Sequence, residues 1–142
     1  SEINLHAPAL LPNDYCSDVQ ERLTLYKRLA NCEGEDELRD IQEELIDRFG
    51  EMPAQAKTLL ETHRLRLLVK PYGVAKMDAS ETQISVQFGP AANIDPVKVI
   101  MLIQKDRNTK MSGPDKLVRK IATPDLKMRV AAVKELLEAV KG

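Results

Sequence analysis

The sequence predicts an α+β domain of about five helices with a small antiparallel β-sheet. Three observations carry that prediction. Between residues 17 and 70, apolar residues recur at three- and four-residue spacing, bounded by capping residues and glycine. After Gly73 the spacing falls to two: Ile84, Val86 and Phe88 alternate with Ser85 and Gln87. Two more helix starts follow, Asp95-Pro96 and Thr123-Pro124, so helices come first and a sheet mixed with helices second. We expect one compact domain over residues 1–142, helical over about 15–72 and mixed α/β over about 73–142.

The opening "INLHAPALLP" carries Pro8 and Pro12, which predicts an extended segment with an edge strand at Ile3 to His6. "SDVQ" at Ser17 to Gln20 has the capping-box pattern, with Ser17 as cap and Gln20 three residues on. Val19, Leu23, Tyr26 and Ala30 mark the stripe of the first helix, with Leu25 and Leu29 beside it, and Asn31 closes it. Gly34 precedes a second helix whose first turn holds Glu35, Asp36 and Glu37, where the positive end of the helix dipole favours acids. Its apolar stripe is Leu38, Ile41, Leu45 and Phe49, and Gly50 stops it. Pro53 opens a third helix with Ala56, Leu59, Leu60, His63 and Leu67 inward, which ends at "KPYG".

"VAKMD", "SETQ" and "ISVQF" then read as a hairpin with one buried and one wet face. Val97, Ile100 and Met101, with Gln104, define a fourth helix. "NTKMSGPDKLVRKI" gives short extended pieces around a Gly113-Pro114 turn, and Leu126, Val130, Val133, Leu137 and Val140 give a last helix.

Composition narrows the functional classes. With 43% hydrophobic and 30% charged residues, the chain has the balance of an ordinary soluble globular protein. The longest apolar run, Val99 to Ile103, is too short to span a bilayer, and "SEINLHAPALLPNDY" lacks the basic start of a signal peptide. Cys16 and Cys32 flank one predicted helix, too far apart to bridge, which fits a reducing, cytoplasmic setting.

The net charge of −1 hides an asymmetry: residues 1–62 hold 14 acids against 6 Lys/Arg, and residues 63–142 hold 8 against 15. A general nucleic-acid binder would be basic throughout.

Reaction chemistry is hard to assemble from these residues. No glycine spacing forms a phosphate loop, and His6 and His63 stand far apart with no CxxC or HxxxH. Glu33 beside Cys32 would raise its thiol pKa, the wrong direction for a nucleophile, and His63 sits on an apolar stripe as a boundary histidine would. We therefore expect no catalytic residue, no metal and no cofactor in this domain. A second reading, an accessory nucleic-acid-binding module, would use Arg64, Arg66, Lys116, Arg119 and Lys120 of the basic half, against the alternative of a solvated surface.

The sharpest feature is acidic. Asp40, Glu44 and Asp47 fall on one helical face with Glu43 at its margin, and residues 31–51 carry 9 acids against Arg39 and Arg48. Acids at such spacing repel one another. Either the face is simply solvated, or something basic sits opposite it.

Three stretches, "INLHAPALLPNDY", "ERLTLYKRLANCEGEDELRDIQEELIDRFGEMP" and "LLETHRLRLL", resemble the C-terminal domain of the bacterial transcription-repair coupling factor (Mfd) family. Tyr26 to Pro53 is the most specific part; Asp95-Pro96 and "GPDKL" are weaker landmarks. The resemblance implies a regulatory, autoinhibitory domain of a larger ATP-driven DNA translocase. The motor, with its ATP and magnesium, lies outside this segment, as do the parts that engage RNA polymerase and DNA. The domain would dock on the UvrB-like N-terminal module of the same protein, mask its UvrA-binding surface, and restrain the motor until a stalled polymerase is engaged. By position, Glu44 and Asp47 would make that contact, with Arg48 as a neighbour and Asp40 and Glu43 on the same stripe.

Overall fold

The structure is a computed structural model describing residues 1–142. It contains five α-helices and one five-stranded sheet, in the order β1 (Glu2–Asn4), α1 (Val19–Ala30), α2 (Glu35–Phe49), α3 (Ala54–Val69), a 3-10 turn (Lys70–Tyr72), β2 (Val74–Ala79), β3 (Gln83–Phe88), α4 (Pro96–Lys105), β4 (Thr109–Met111), β5 (Lys116–Lys120) and α5 (Leu126–Ala139). The α+β expectation holds. The chain forms two compact units, Ala7–Leu67, and Ser1–His6 with Leu68–Gly142; α3 runs through the boundary.

The Ala7–Leu67 unit is helical. Its core gathers Leu11, Cys16, Leu25, Leu29, Cys32, Leu38, Ile41, Leu45, Met52, Ala56, Leu59 and Leu60, with Tyr15, Tyr26, Phe49 and Leu67 packed against it. Asp18, not Ser17, caps α1: its carboxylate accepts from the Gln20 N–H at 2.9 Å and the Glu21 N–H at 3.4 Å. The stripe of α1 is also rotated from expectation. Leu25 and Leu29 are buried, whereas Val19 and Leu23 are exposed. Two candidate stripes lay a fraction of a turn apart, and packing selected the one carrying the leucine pair at i, i+4.

α2 follows the expected stripe, with Leu38, Ile41 and Leu45 buried. Gly34 offers no side chain to cap it, and the Glu37 carboxylate reaches back to the Glu33 N–H at 2.9 Å instead. The helix stops at Gly50, whose φ of 89° and ψ of −163° only glycine adopts without strain. Tyr15 Oη donates to the freed Gly50 carbonyl at 2.9 Å and to the Leu45 carbonyl at 3.1 Å. Pro53 stands just before α3, and its carbonyl accepts from the Ala56 and Lys57 N–H groups. Leu65 and Val69 join the buried positions of α3, while His63 and Leu67 are only half-buried; a helix covered on several sides has no single stripe to read.

The other unit is built on the sheet, in strand order β1-β2-β3-β5-β4. The pairs β2–β3, β3–β5 and β5–β4 are antiparallel, as expected, but β1 joins β2 in parallel, so the sheet is mixed. β1 ends at Asn4 rather than His6, because His6 takes a φ of 55° and donates its N–H to Asn4 Oδ1. Ile84, Ser85, Val86 and Phe88 are all buried, so the central strand is covered on both faces and Ser85 is not on the wet side.

The 3-10 turn ends at Gly73, with a φ of 72°; a Cβ there would stand 2.6 Å from the Ala91 carbonyl oxygen. α5 starts from Asp125, which accepts from the Met128 N–H, not from the Thr123-Pro124 pair. Thr123 is buried, and its hydroxyl donates to the Ser80 carbonyl. α4 forms where expected, but with its assigned residues outward: Val97, Ile100 and Met101 face solvent, and Val99 is buried.

One buried cation lies in α5. Arg129, 4% exposed, donates to the Leu5 carbonyl at 2.7 Å and twice to the Thr123 carbonyl, at 3.0 and 3.2 Å. No carboxylate is paired with it; its charge is spread over carbonyl dipoles that tie the end of β1 to the approach to α5. No helix is long and apolar enough to cross a membrane.

Candidate functional site

The acidic face of α2 is positioned by a helical hairpin. α1 and α2 are joined by the short connection 31–34 and share the core of leucines, which sets their outer faces side by side. Across this hairpin Arg28 near the end of α1 meets Glu44 with both terminal guanidinium nitrogens, Nη1 to Oε2 at 2.8 Å and Nη2 to Oε1 at 3.0 Å. Glu44 Oε2 also accepts from Arg48 Nη1 at 3.0 Å, one turn further along. Arg48 in turn pairs with Glu21 of α1 and lies over the Phe49 ring, 4.9 Å from its centroid. The Phe49 ring is itself tilted against Tyr15 at 5.6 Å.

Four side chains thus form one alternating ladder, Arg28–Glu44–Arg48–Glu21. Hydrogen bonding to Arg28 holds the Glu44 carboxyl below its usual 4.5, and the same bond raises the Arg28 guanidinium. The basic group opposite the stripe is therefore, in part, Arg28 of the same chain. Sequence reading missed it and Glu21, because a bond across a hairpin has no fixed spacing to read.

The rest of the stripe differs. Asp40, Glu43 and Asp47 are exposed, and none takes part in a side-chain hydrogen bond or ion pair. They stand beside an arginine-paired glutamate, with the apolar Ile46 exposed among them. Next to Asp40 a shallow groove of about 330 Å³ is lined by Arg28, Asn31, Cys32, Glu37 and Ile41. The face has fixed charges at its centre, free charges along one side and relief at its edge.

Most of the candidate basic residues are engaged within their own unit. Arg64 is engaged by Glu35, Glu61 and Gln42. Arg66 donates to the Leu29 and Cys32 carbonyls at the end of α1, where the helix dipole is negative, and to His63 Nδ1. Arg119 is 8% exposed, bonded to Thr109 and paired with Asp106 at 3.2 Å. Lys116 and Lys120 are exposed at either end of β5. Arg64 and Arg66 belong to one unit and the other three to the second.

Cys16 and Cys32 are free and buried. Burial raises the Cys32 thiol pKa, and the acidic neighbour that adds to it is Glu37 rather than Glu33. His63 is pushed below its usual 6.5 by burial and then by the Arg66 charge. No three His, Cys, Asp or Glu side chains converge where they could hold a metal ion.

Fold and surface define a class first: a small α+β domain whose outstanding feature is a self-braced acidic helix face. A family model described as TRCF domain matches residues 5–99. The transcription-repair-coupling factor of Haemophilus influenzae is 41% identical over 141 residues, covering 99% of this chain and 12% of that protein. That of Escherichia coli is 34% identical over 142 residues, again covering 99% and 12%. A solved structure described as the C-terminal domain of transcription-repair coupling factor superposes with a TM-score of 0.75 at 24% identity, covering 98% of this chain and 92% of that one. The chain belongs to the TRCF domain family and has the fold of that C-terminal domain. It spans 12% of the length of these curated relatives.

Proposed function

We propose that this chain is the autoinhibitory domain of a transcription-repair coupling factor and has no catalytic activity of its own. In this reading the acidic face of α2 docks on a basic surface of the UvrB-like N-terminal module of the same protein. It thereby masks the surface UvrA uses and restrains the DNA-translocating motor until a stalled RNA polymerase is engaged. ATP and magnesium belong to that motor, outside this chain. The observation that carries the reading is the division of labour on α2. Glu44 and Arg48 are braced by Arg28 and Glu21, while Asp40, Glu43 and Asp47 remain free for an outside cation.

Braced charges lose little freedom on docking, and free carboxylates supply the new pairs. Holding a closed form at 99 in 100 takes about 2.7 kcal/mol, half of a full reversal. A few partly desolvated pairs supply that, and tethering at roughly millimolar effective concentration does the rest. The nucleic-acid reading lacks such support, since Arg64, Arg66 and Arg119 are spent inside their own units.

The test is an NMR titration of the chain with the separately produced UvrB-like module. Resonance shifts centred on residues 40–50, weakened by salt and lost in Glu43→Gln/Asp47→Asn, are expected. Shifts that map elsewhere, or survive the double substitution unchanged, would remove the α2 face from the mechanism.

A further inference from the structure

α4 carries an apolar surface that its own fold does not use. Its inward side is Val99, with Leu102 and Ile103 half-buried. Its outward side is also apolar: Val97, Ile100 and Met101 are 61%, 56% and 60% exposed. A helix apolar on both sides is expected to be covered on both. Three large side chains at i, i+3 and i+4 form one contiguous strip, unlike the single exposed apolar residues normal on any surface.

A shallow groove of about 480 Å³ lies beside the strip, which it meets at Met101, and is completed by Lys98, Leu102, Gln104 and Lys105 of α4 and by Ala139 at the end of α5. Lys98 and Lys105 line the groove and so form the rim of the strip on that side. Lys98 reaches the Lys141 carbonyl, while Lys105 has no carboxylate partner. The chain leaving α4 adds Arg107 and Lys110, exposed and also without carboxylate partners, and Asp106, next to Lys105, is already paired with Arg119.

From this strip and its rim we infer that the outer face of α4 binds an amphipathic helix whose apolar anchors are flanked by carboxylates. The spacing of Val97, Ile100 and Met101 suits knobs from a second helix laid along the strip, with the groove between Met101 and Ala139 leaving room for one of them. The charge choice follows from the rim: a basic helix would meet Lys98 and the unpaired Lys105, and an acidic one would pair with them. A second copy of this chain is a poorer fit. Docking the acidic α2 face of one copy on α4 of the next is a head-to-tail contact that propagates without closing. The inference is independent of the role proposed for α2.

The test uses the chain labelled for NMR and two synthetic 18-residue helical peptides with the same leucine strip, one flanked by Glu and one by Lys. Saturable shifts at residues 97–105 and Ala139 are expected with the acidic peptide, with at least about tenfold weaker binding of the basic one. Met101→Glu should abolish the shifts while leaving the rest of the spectrum unchanged. Should that variant unfold, Lys98→Glu/Lys105→Glu, which touches only the rim, should reverse the peptide preference. The inference is overturned by no saturable shift up to roughly 1 mM, by equal response to both peptides, or by shifts that bypass α4. It is equally overturned if sedimentation shows the chain associating with itself and Met101→Glu abolishes that association.

Discussion

Replacing Arg28 by Met tests whether the acidic face of α2 is braced from within. The substitution keeps the aliphatic stem and removes both hydrogen bonds to Glu44. A hydrogen bond to a charged group is worth about 1.5–3 kcal/mol when sheltered. Here the side chains of Arg28 and Glu44 are 41% and 32% exposed, so solvent screening cuts the pair to about 0.5–1 kcal/mol. In a chain of this size, that shifts the melting temperature by roughly 2–4 °C.

The assay is a double-mutant cycle of urea unfolding with Arg28→Met, Glu44→Gln and both, at pH 7. A coupling of about 0.5–1 kcal/mol is expected, reduced at high salt. Glu44 titrates below its usual 4.5 in the folded chain, so its stabilising share is complete above that pH and is lost as pH falls through the lowered value. The coupling should fade over the same range. A coupling indistinguishable from zero at pH 7, or one that persists unchanged in acid, would refute the bracing argument.

Two further perturbations reach the interior. Arg129→Met strands the Leu5 and Thr123 carbonyls, and we expect a loss of about 2–4 kcal/mol in thermal or urea unfolding, with exchange of the β1 amides accelerated first. His63 resists protonation when folded, so the unfolded chain binds the extra proton as pH drops below 6.5, and stability falls from there down to the depressed folded value. His63→Gln should flatten the stability–pH curve just below 6.5 while leaving the loss in stronger acid in place.

Local signals in the chain were enough for the elements. α2 announced both ends, with acids in the first turn and Gly50 at the last, and its stripe of Leu38, Ile41 and Leu45 is the buried one. The β2–β3 hairpin was legible from alternation, and the Asp95-Pro96 start of α4 from its cap. Misreadings fell where two local answers were nearly equal: Ser17 against Asp18 as a cap, Thr123 against Asp125, and one of two apolar stripes on α1.

That a helix carries Asp40, Glu43, Glu44 and Asp47 on adjoining turns follows from the amino-acid order alone, because helical periodicity is a property of neighbours along the chain. Which of those charges are free depends on packing between helices. Glu44 is claimed by Arg28 from another helix, Arg48 by Glu21, and Arg119 by Asp106 and Thr109. Packing likewise buries Arg129 and turns an apolar face of α4 outward. Periodicity reports which residues share a side of an element. Which side is covered, and which charge finds a partner, depends on elements far apart in the chain.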